Sequence, residues 1–265
     1  MKRPILKLCL VLLCPLALAD ITLAAGVLDA IMKRGTIVIG VSPGAAPLGF
    51  YNERNEPIGY DIDMAKRLAD ALGVDAEFVN VYGDSRVSML VSGQLDIVIA
   101  NMTATATRAK SVDFSMPYLR TGLRIIVRND SGISKFEDLN GQKIVVGRGS
   151  SGELFIKEAL PGAELVYTDS FSPNGVLLLR QGRVAAAIED NSIIDYLAAK
   201  SPDYEILPEL YLSGPIAMGI AKGNPEFVQW VNDFISMYID SGDYEAQYKK
   251  WWGNDTEAPV LRVKD

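Results

Sequence analysis

The chain has 265 residues and carries 26 lysines and arginines against 33 aspartates and glutamates, a formal charge of −7. It contains no histidine, and its two cysteines, Cys9 and Cys14, both lie in the first 25 residues. If that segment is removed during export, the remaining chain has no disulfide, no thiol nucleophile, no cysteine–zinc site and no histidine base. An acidic chain without a basic cluster is also a poor partner for nucleic acid or anionic lipid. We expect no nucleic-acid partner, no metal site and no cofactor.

Residues 1–25 have the pattern of a secretory signal peptide. The segment opens with basic residues and continues as an apolar stretch, at Lys2, Arg3, Lys7 and Leu8–Leu18. Cleavage after Ala19 and cleavage near Ala25 both fit its small residues. A lipid on Cys14 is disfavoured because the preceding residue is the bulky Leu13. Removal of the segment changes the charge from 26 − 33 = −7 to 23 − 32 = −9.

The first half of the remaining chain alternates strands and helices. The clearest helix covers residues 61–73, where an apolar stripe is followed by a stop at Gly73, and Asp61 is able to cap its start. A β-α-β-α-β order requires a parallel sheet with right-handed crossovers. The predicted elements are an amphipathic start at 27–32, strands at 36–41, 76–81 and 96–100, and helices at 61–73 and 85–92.

The same pattern repeats in the second half. The segments 92–101 and 181–190 can be laid side by side, since both contain a glycine at a helix end, a buried strand and a polar terminus. This correspondence predicts two lobes of equivalent organisation, with Asn101 and Asp190 at matching strand ends. The predicted elements are strands at 143–146, 164–167 and 185–189, and helices from the loop 147–152 to about 160 and at 172–181.

Two glycine-containing β-type runs, 118–128 and 212–222, must connect the lobes, and we expect them to be extended crossing linkers. An amphipathic helix at 225–241 and a shorter aromatic helix end the chain. The aromatic residues of that shorter helix are expected to pack in the core or between the lobes: Tyr244, Tyr248, Trp251 and Trp252. The tail after Gly253 is polar and expected to be loose.

The most informative stretch is DIVIANMTATATRAKSVDFSMPY, residues 96–118. A buried strand leads into a hydroxyl-rich loop and then to Arg108, and ligands of α/β sheets bind at such carboxyl ends of strands. The planar guanidinium of arginine makes two parallel charge-assisted hydrogen bonds to a carboxylate. Arg108 is therefore a candidate carboxylate-binding residue, although this stretch alone fits a surface arginine equally well.

With these motifs in view, the chain resembles the bacterial solute-binding proteins of family 3, which deliver polar amino acids to ABC importers. The resemblance covers almost the whole chain after the leader. It implies an α/β fold of the two-lobed, type II periplasmic-binding-protein class, with two mainly parallel sheets flanked by helices. Lobe one is expected at 26–119 plus 219–265, and lobe two at 120–218. The resemblance is carried by 47–74, by 92–118 with its Thr-x-x-Arg and Asp-Phe-Ser-x-Pro-Tyr elements, by 144–153 and by 186–197.

The same resemblance implies a non-enzymatic function. The protein is expected in the periplasm as a monomer that binds a free amino acid, closes its two lobes around it and delivers it to a membrane-embedded ABC permease. Once its leader is removed, it is not expected to insert into the membrane.

In such proteins an arginine of lobe one, with hydroxyls and amides nearby, holds the α-carboxylate of the ligand. The matching residues are Arg108 and Thr103 in lobe one, and Ser150 with Ser151 in lobe two. The turn 149–152 precedes a helix, whose N-terminal amides favour an anion on physical grounds as well. An ordinary helix N-cap is the alternative for these serines.

The ligand's ammonium is normally taken by a carboxylate at the end of a lobe-two strand, and Asp190 matches that position. A backbone carbonyl at Asn101 or Met102 is expected to help. One cation and one anion on opposite lobes suit a zwitterion, because each ligand charge then finds a partner as it leaves water.

The side-chain pocket departs from the pattern of family members that bind basic amino acids. Those members often place an aromatic residue on each side of the ligand and an acid at its end. The matching positions here are small, at Ala45 or Ala46, Gly83 and about Ser42. Arg86 and Arg148 lie on loops that should border the site, unless either points to solvent. This combination favours an acidic or amide side chain, as in glutamate, aspartate or glutamine, over lysine or arginine.

Two other function classes stay open. A few relatives are dehydratases of cyclohexadienyl acids, and Glu153 or Glu189 would serve as a general acid if burial raised its pKa. The third class, the sensing part of a membrane receptor, needs a membrane span and a signalling domain, and neither is found up to Asp265.

Overall fold

A computed structural model describes residues 26–261. The signal-peptide, cleavage and lipidation predictions concern residues 1–25 and lie outside the described residues. The α-helices are α1 (Val27–Arg34), α2 (Tyr60–Leu72), α3 (Ser85–Val91), α4 (Ser151–Ala159), α5 (Val176–Arg180), α6 (Asn191–Ala198), α7 (Pro225–Asp240) and α8 (Asp243–Trp252). The strands are β1 (Thr36–Val41), β2 (Phe50–Tyr51), β3 (Pro57–Ile58), β4 (Asp75–Asn80), β5 (Ile97–Val98), β6 (Val112–Arg128), β7 (Lys143–Gly147), β8 (Glu164–Thr168), β9 (Ala186–Asp190), β10 (Tyr204–Ile206) and β11 (Tyr211–Ala221).

Two parallel units form the halves of the molecule. In lobe one β1 lies between β4 and β5, parallel to both, and in lobe two β7 lies between β8 and β9 in the same way. The predicted pair of equivalent β-α-β-α-β units is therefore confirmed. Because the strands of each unit are parallel, their carboxyl ends lie along one edge of that unit.

The two long strands β6 and β11 join the halves. They pair antiparallel with each other, while β11 also pairs with β5 and β6 with β9. The resulting strand order is β4-β1-β5-β11-β6-β9-β7-β8, with β10 on β6. The prediction of extended crossing linkers is confirmed. The proposed lobe boundaries at 119/120 and 218/219 fall inside these two strands and stay a prediction.

Apolar faces of helices and sheets make the core. The predicted stripe of α2 is buried, and the helix ends at Gly73, whose φ of 70° is the left-handed conformation that glycine adopts readily. Lobe two has its own cluster, centred on β7 and β9, which includes Ile144, Ile156 and Ile188. Among the helices of residues 26–261, none is both long and apolar enough to span a bilayer.

The sequence prediction for Asp61 is wrong. Gly59 occupies the N-cap of α2, and Asp61 lies inside the first turn with 2% of its surface exposed. Its carboxylate accepts hydrogen bonds from the Asn101 backbone N–H at 2.7 Å and from the Tyr118 hydroxyl at 2.9 Å. These two donors turn the side chain inward, so it links α2 to the loop after β5 and to β6.

The C-terminal helix α8 packs on both α2 and α6. The ring of Trp252 lies 5.3 Å from that of Tyr60, and its indole N–H donates to the Ser192 carbonyl at 2.7 Å. The expected packing role of these aromatics is confirmed. The described part of the tail is not loose, because Leu261 is buried and the Pro259 carbonyl accepts from the Tyr244 hydroxyl at 2.7 Å.

Candidate functional site

A small cavity of about 60 Å³ lies where the carboxyl ends of both parallel units meet. Lobe one contributes the loops after β1, β4 and β5, and lobe two contributes the segments after β7, β8 and β9. Loops at such ends are free to carry polar groups, because the strands behind them already satisfy the backbone hydrogen bonds. The cavity is therefore at the position where α/β sheets bind ligands.

The predicted site residues come together here, with one exception. Eight of them line the cavity: Arg86, Asn101, Thr103, Arg108, Arg148, Ser150, Ser151 and Asp190. Met102 does not line it. Its side chain is fully buried against Leu90 and Gly219, and its carbonyl accepts from the Ala217 N–H at 3.1 Å.

Arg108 extends between the lobes. Its Nη1 donates to the Thr103 carbonyl at 2.9 Å, and its Nη2 donates across the cleft to the Gly149 carbonyl at 3.3 Å. Burial, together with the nearby Arg86 cation, lowers the pKa of Arg108 to about 10, although Asp190 acts in the opposite direction. The guanidinium is therefore charged at neutral pH.

Asp190, on lobe two, has 7% of its surface exposed and accepts two hydrogen bonds. Its Oδ2 accepts from the Asn101 side-chain amide at 2.6 Å, and its Oδ1 accepts from the Thr121 hydroxyl at 3.0 Å. Asn101 adopts a φ of 47°, a left-handed conformation that asparagine tolerates better than most residues. Burial raises the pKa of Asp190. The predicted matching strand ends thus meet directly across the cleft.

The N-terminus of α4 brings two serines to the site with different roles. Ser150 is the N-cap, and its Oγ accepts from the Glu153 N–H at 3.1 Å. Ser151 reaches lobe one, where its hydroxyl donates to Thr103 Oγ1 at 3.3 Å. The helix cap that was the alternative for the serines is present at Ser150, and the first two residues of α4, Ser151 and Gly152, line the cavity.

The two flanking arginines point in different directions. Arg86 is turned inward: its Nη1 donates to the Asn101 carbonyl at 3.3 Å, and its Nε is enclosed without a hydrogen-bond partner. Arg148 is turned outward, with 53% of its side chain exposed, its guanidinium 4.6 Å from the centre of the Tyr167 ring and 3.9 Å from Asp169. Of these two arginines, Arg86 is therefore the interior cation.

Gly83 is small for a reason that the sequence did not reveal. A Cβ at this position would lie 2.3 Å from the Arg148 carbonyl oxygen, and one at Gly149 would lie 2.8 Å from the Asp84 nitrogen. The backbones of the two lobes therefore approach too closely for any side chain. The absence of an aromatic residue at position 83 therefore follows from the close approach of the two backbones. It does not make the ligand pocket wider.

Several lining residues were missed. Phe171 and Ile193 line the cavity from the segments after β8 and β9, and Glu189, considered only as a possible acid, lines it beside Asp190. The repeat between the lobes contained the signal for Phe171, because the segment after β8 corresponds to the one after β4. For Ile193, the only signal in the sequence was its position shortly after the end of a predicted strand.

Asp61 lies behind the site and gives a pH prediction. Burial raises its pKa to about 7, although the hydrogen bonds from Tyr118 and Asn101 and the charge of Arg86 act to lower it. The folded state therefore holds a proton that the unfolded state loses near pH 3.8. The free energy of unfolding should fall as pH rises between these two values and stay level above them.

We expect Asp61→Asn to remove that part of the pH dependence, because the amide cannot ionise. The measurement is the melting temperature of ligand-free protein from about pH 5 to about pH 8. The test compares the pH dependence of the melting temperature and not its absolute value, because the amide offers one acceptor oxygen to two donors and therefore changes stability at every pH. Equal slopes for variant and parent would contradict the prediction.

Comparisons with known proteins agree with this geometry. The family model described as bacterial extracellular solute-binding proteins, family 3, matches residues 37–254. The L-cystine-binding protein TcyJ of Escherichia coli (strain K12) is 29% identical over 233 residues, which cover 87% of each chain. The ABC transporter glutamine-binding protein GlnH of Bacillus subtilis (strain 168) is 31% identical over 233 residues, 86% of this chain and 85% of the relative.

Solved structures give the same result. The cysteine-binding protein from Campylobacter jejuni matches with a TM-score of 0.83 at 29% identity, over 88% of this chain and 97% of that chain. The ancestral amino acid-binding protein AncCDT-1, a precursor of cyclohexadienyl dehydratase, matches with a TM-score of 0.80 at 36% identity, over 85% and 99%. With its two parallel units, its crossing strands and a family match over most of its length, the chain belongs to the bacterial extracellular solute-binding proteins, family 3.

Proposed function

We propose that the protein binds a polar amino acid in the periplasm and delivers it to the membrane-embedded permease of an ABC importer. The observation that carries the proposal is that Arg108 from lobe one and Asp190 from lobe two line the same cavity. A free amino acid carries one negative and one positive group on the same carbon. A site with one cation and one anion on opposite walls complements both groups.

The carboxylate end of the ligand is assigned to Arg108, with Thr103, Ser151 and the first amides of α4. The support is that Thr103 and Ser151 already meet at 3.3 Å, so their hydroxyls flank the space beside the guanidinium. The ammonium is assigned to Asp190. Its two neutral donors, from Asn101 and Thr121, leave the negative charge of the carboxylate without a bound cation partner within residues 26–261.

A preference for an acidic or amide side chain is supported by Arg86, which faces the interior, whereas the outward-turned Arg148 adds no support for it. Relatives of this chain are named for chemically different ligands: cystine, glutamine, glutamate with aspartate, and arginine. Family membership alone therefore does not choose the ligand, and the proposal depends on the residues around Arg86.

Export and monomeric delivery complete the proposal. Residues 1–25 are proposed as the signal peptide that directs the chain to the periplasm. When the lobes close around the ligand, they form one continuous surface that the permease recognises. The hinge of this closure lies in β6 and β11, near residues 119–123 and 213–218.

A panel of free amino acids tests the function. The mature protein is partly unfolded to remove any ligand from the expression host, refolded, and melted with each amino acid in turn. Binding at about 100 times the Kd adds ~2.7 kcal/mol of stability, which raises the melting temperature by a few degrees. We expect an acidic or amide amino acid to give the largest shift. If no amino acid raises the melting temperature, the proposed function is wrong. If arginine or lysine gives the largest rise, the proposed side-chain preference is wrong.

One observation favours a second candidate, a dehydratase of cyclohexadienyl acids. Glu189 lines the cavity, and burial together with the neighbouring Asp190 raises its pKa, as a general acid requires. Glu153 does not fit that role. Burial acts to raise its pKa, but hydrogen bonds from Lys157, the Gly149 N–H and Tyr167 lower it overall. Incubation of purified protein with prephenate or arogenate distinguishes the candidates, since the transport protein leaves both unchanged.

A further inference from the structure

Glu189 occupies an unusual position in the cavity. It is the next-to-last residue of β9 and lines the same space as Arg86 and Arg108. Its Oε1 accepts from the Asp190 backbone N–H at 3.1 Å. Within residues 26–261 no side chain donates a hydrogen bond to this carboxylate. Its second oxygen, Oε2, therefore keeps its capacity to accept a hydrogen bond.

The guanidinium of Arg86 lies across the cleft from this carboxylate. None of the described carboxylates comes within ion-pair distance of it, and its hydrogen bond goes to the Asn101 carbonyl. Among the surrounding carboxylates, Glu189 interacts with the Arg86 charge most favourably, ahead of Asp61 and Asp190. Glu189 of lobe two is therefore the carboxylate that acts most strongly on the Arg86 charge.

We propose that Glu189 determines the class of ligand side chain, by accepting a neutral hydrogen-bond donor such as a carboxamide and rejecting a carboxylate. This inference rests on the proposed function and narrows its acidic or amide preference to the amide. It makes Glu189 a specificity-determining residue for the same site.

The charge balance of the cavity leads to this assignment. Under the proposed function the ligand's carboxylate pairs with Arg108 and its ammonium with Asp190, which leaves the Arg86 charge to be countered by Glu189 and, behind the site, by Asp61. A neutral side chain preserves that balance. A carboxylate would bring a second anion beside Glu189, and a basic group a second cation beside Arg86; either repulsion is strong in a water-poor cleft.

A carboxamide also has the matching hydrogen-bonding groups. Its NH₂ has two donors for a carboxylate such as that of Glu189, and its carbonyl oxygen accepts from a guanidinium such as that of Arg86. A carboxylate has acceptors only, so it can satisfy Arg86 but not Glu189.

The test compares glutamine and glutamate as ligands of the full mature protein and of Glu189→Gln. This substitution removes the charge and nearly preserves the shape. Affinities are measured by calorimetry near pH 8, above the raised pKa of Glu189. We expect the parent to bind glutamine ~10- to 100-fold more tightly than glutamate, and the variant to lower that ratio at least ~10-fold because glutamate binds more tightly.

A second measurement changes the charge of Glu189 without a substitution. Near pH 5.5, below the raised pKa of about 7, most of Glu189 is protonated, so the parent's ratio should move toward that of the variant. The comparison is between parent and variant, because the other charged groups that face Glu189 are the same in both: Asp190, Asp61, Arg86 and Arg108.

Glu158→Gln is the matched control, since Glu158 is an exposed residue of α4 in the same lobe. It should leave the glutamine-to-glutamate ratio unchanged. If Glu189→Gln does not fold, as judged by its melting curve, Glu189→Ala replaces it with the same expected change in the ratio.

Three results would each contradict a different part of these proposals. Equal ratios in parent and Glu189→Gln would overturn the role of Glu189, while the binding itself would uphold the proposed function. If the parent binds arginine or lysine and the variant does not, Glu189 is the partner of a cationic ligand side chain. That result would overturn the inference. Absence of binding of any amino acid by both proteins would overturn the proposed function.

Discussion

Arg108→Ala should weaken amino-acid binding by ~30- to several-thousand-fold, which corresponds to a loss of roughly 2–5 kcal/mol. The substitution leaves the ligand's carboxylate in a closed cleft without its main cationic partner. It also removes the hydrogen bond of 3.3 Å from Arg108 to the Gly149 carbonyl, which joins the two lobes. Both losses act on the closed, ligand-bound form.

The ligand-free protein should be little affected by the same change. Burial already lowers the pKa of Arg108, which means that the fold holds this cation at a cost and loses little when it is removed. Arg108→Lys is the matched control and should recover only part of the affinity, because an ammonium supplies charge without the planar pair of donors. Calorimetric affinity is measured beside the melting temperature of ligand-free protein. Unchanged affinity with a large fall in stability would identify Arg108 as a structural residue.

Gly83→Ala should prevent full closure and weaken binding ~5- to 150-fold, the effect of ~1–3 kcal/mol for overpacking a tight contact. The added methyl would lie 2.3 Å from the Arg148 carbonyl oxygen and 3.2 Å from the Gly149 carbonyl carbon. Both are backbone atoms, so no side-chain rotation relieves the clash. Because they belong to the opposite lobe, the clash arises only when the lobes are together.

Small-angle scattering with and without ligand measures the closure. The parent should become more compact on ligand addition, and Gly83→Ala should compact less, while its ligand-free stability stays within ~0.5 kcal/mol of the parent. Gly26→Ala is the control, because a Cβ there meets nothing within 4 Å. Unchanged affinity together with a fall in ligand-free stability would mean that the contact at Gly83 is permanent and that the lobes do not open.

The sequence by itself determined the architecture. Strand and helix periodicity is local, so β1, β4 and β7 lie within a residue or two of their predicted bounds, and the β-α-β order required parallel pairing. Parallel pairing then placed Asn101 and Asp190 at the same edge of the molecule, where they meet at 2.6 Å. The strand-end argument indicated the loop after β5 and the correspondence of Asn101 with Asp190, whereas the resemblance to family 3 supplied the other candidate site residues.

The tertiary structure decided the direction of each side chain. Asp61 turned from a supposed cap into a buried acceptor because its two donors come from elements 40 and 57 residues away in sequence. Arg86 turned inward toward carboxylates of the other lobe, whereas Arg148 turned outward onto the Tyr167 ring. Gly83 is explained only by backbone on the opposite lobe. Such contacts depend on long-range packing between the lobes, and no local pattern in the chain contains that information.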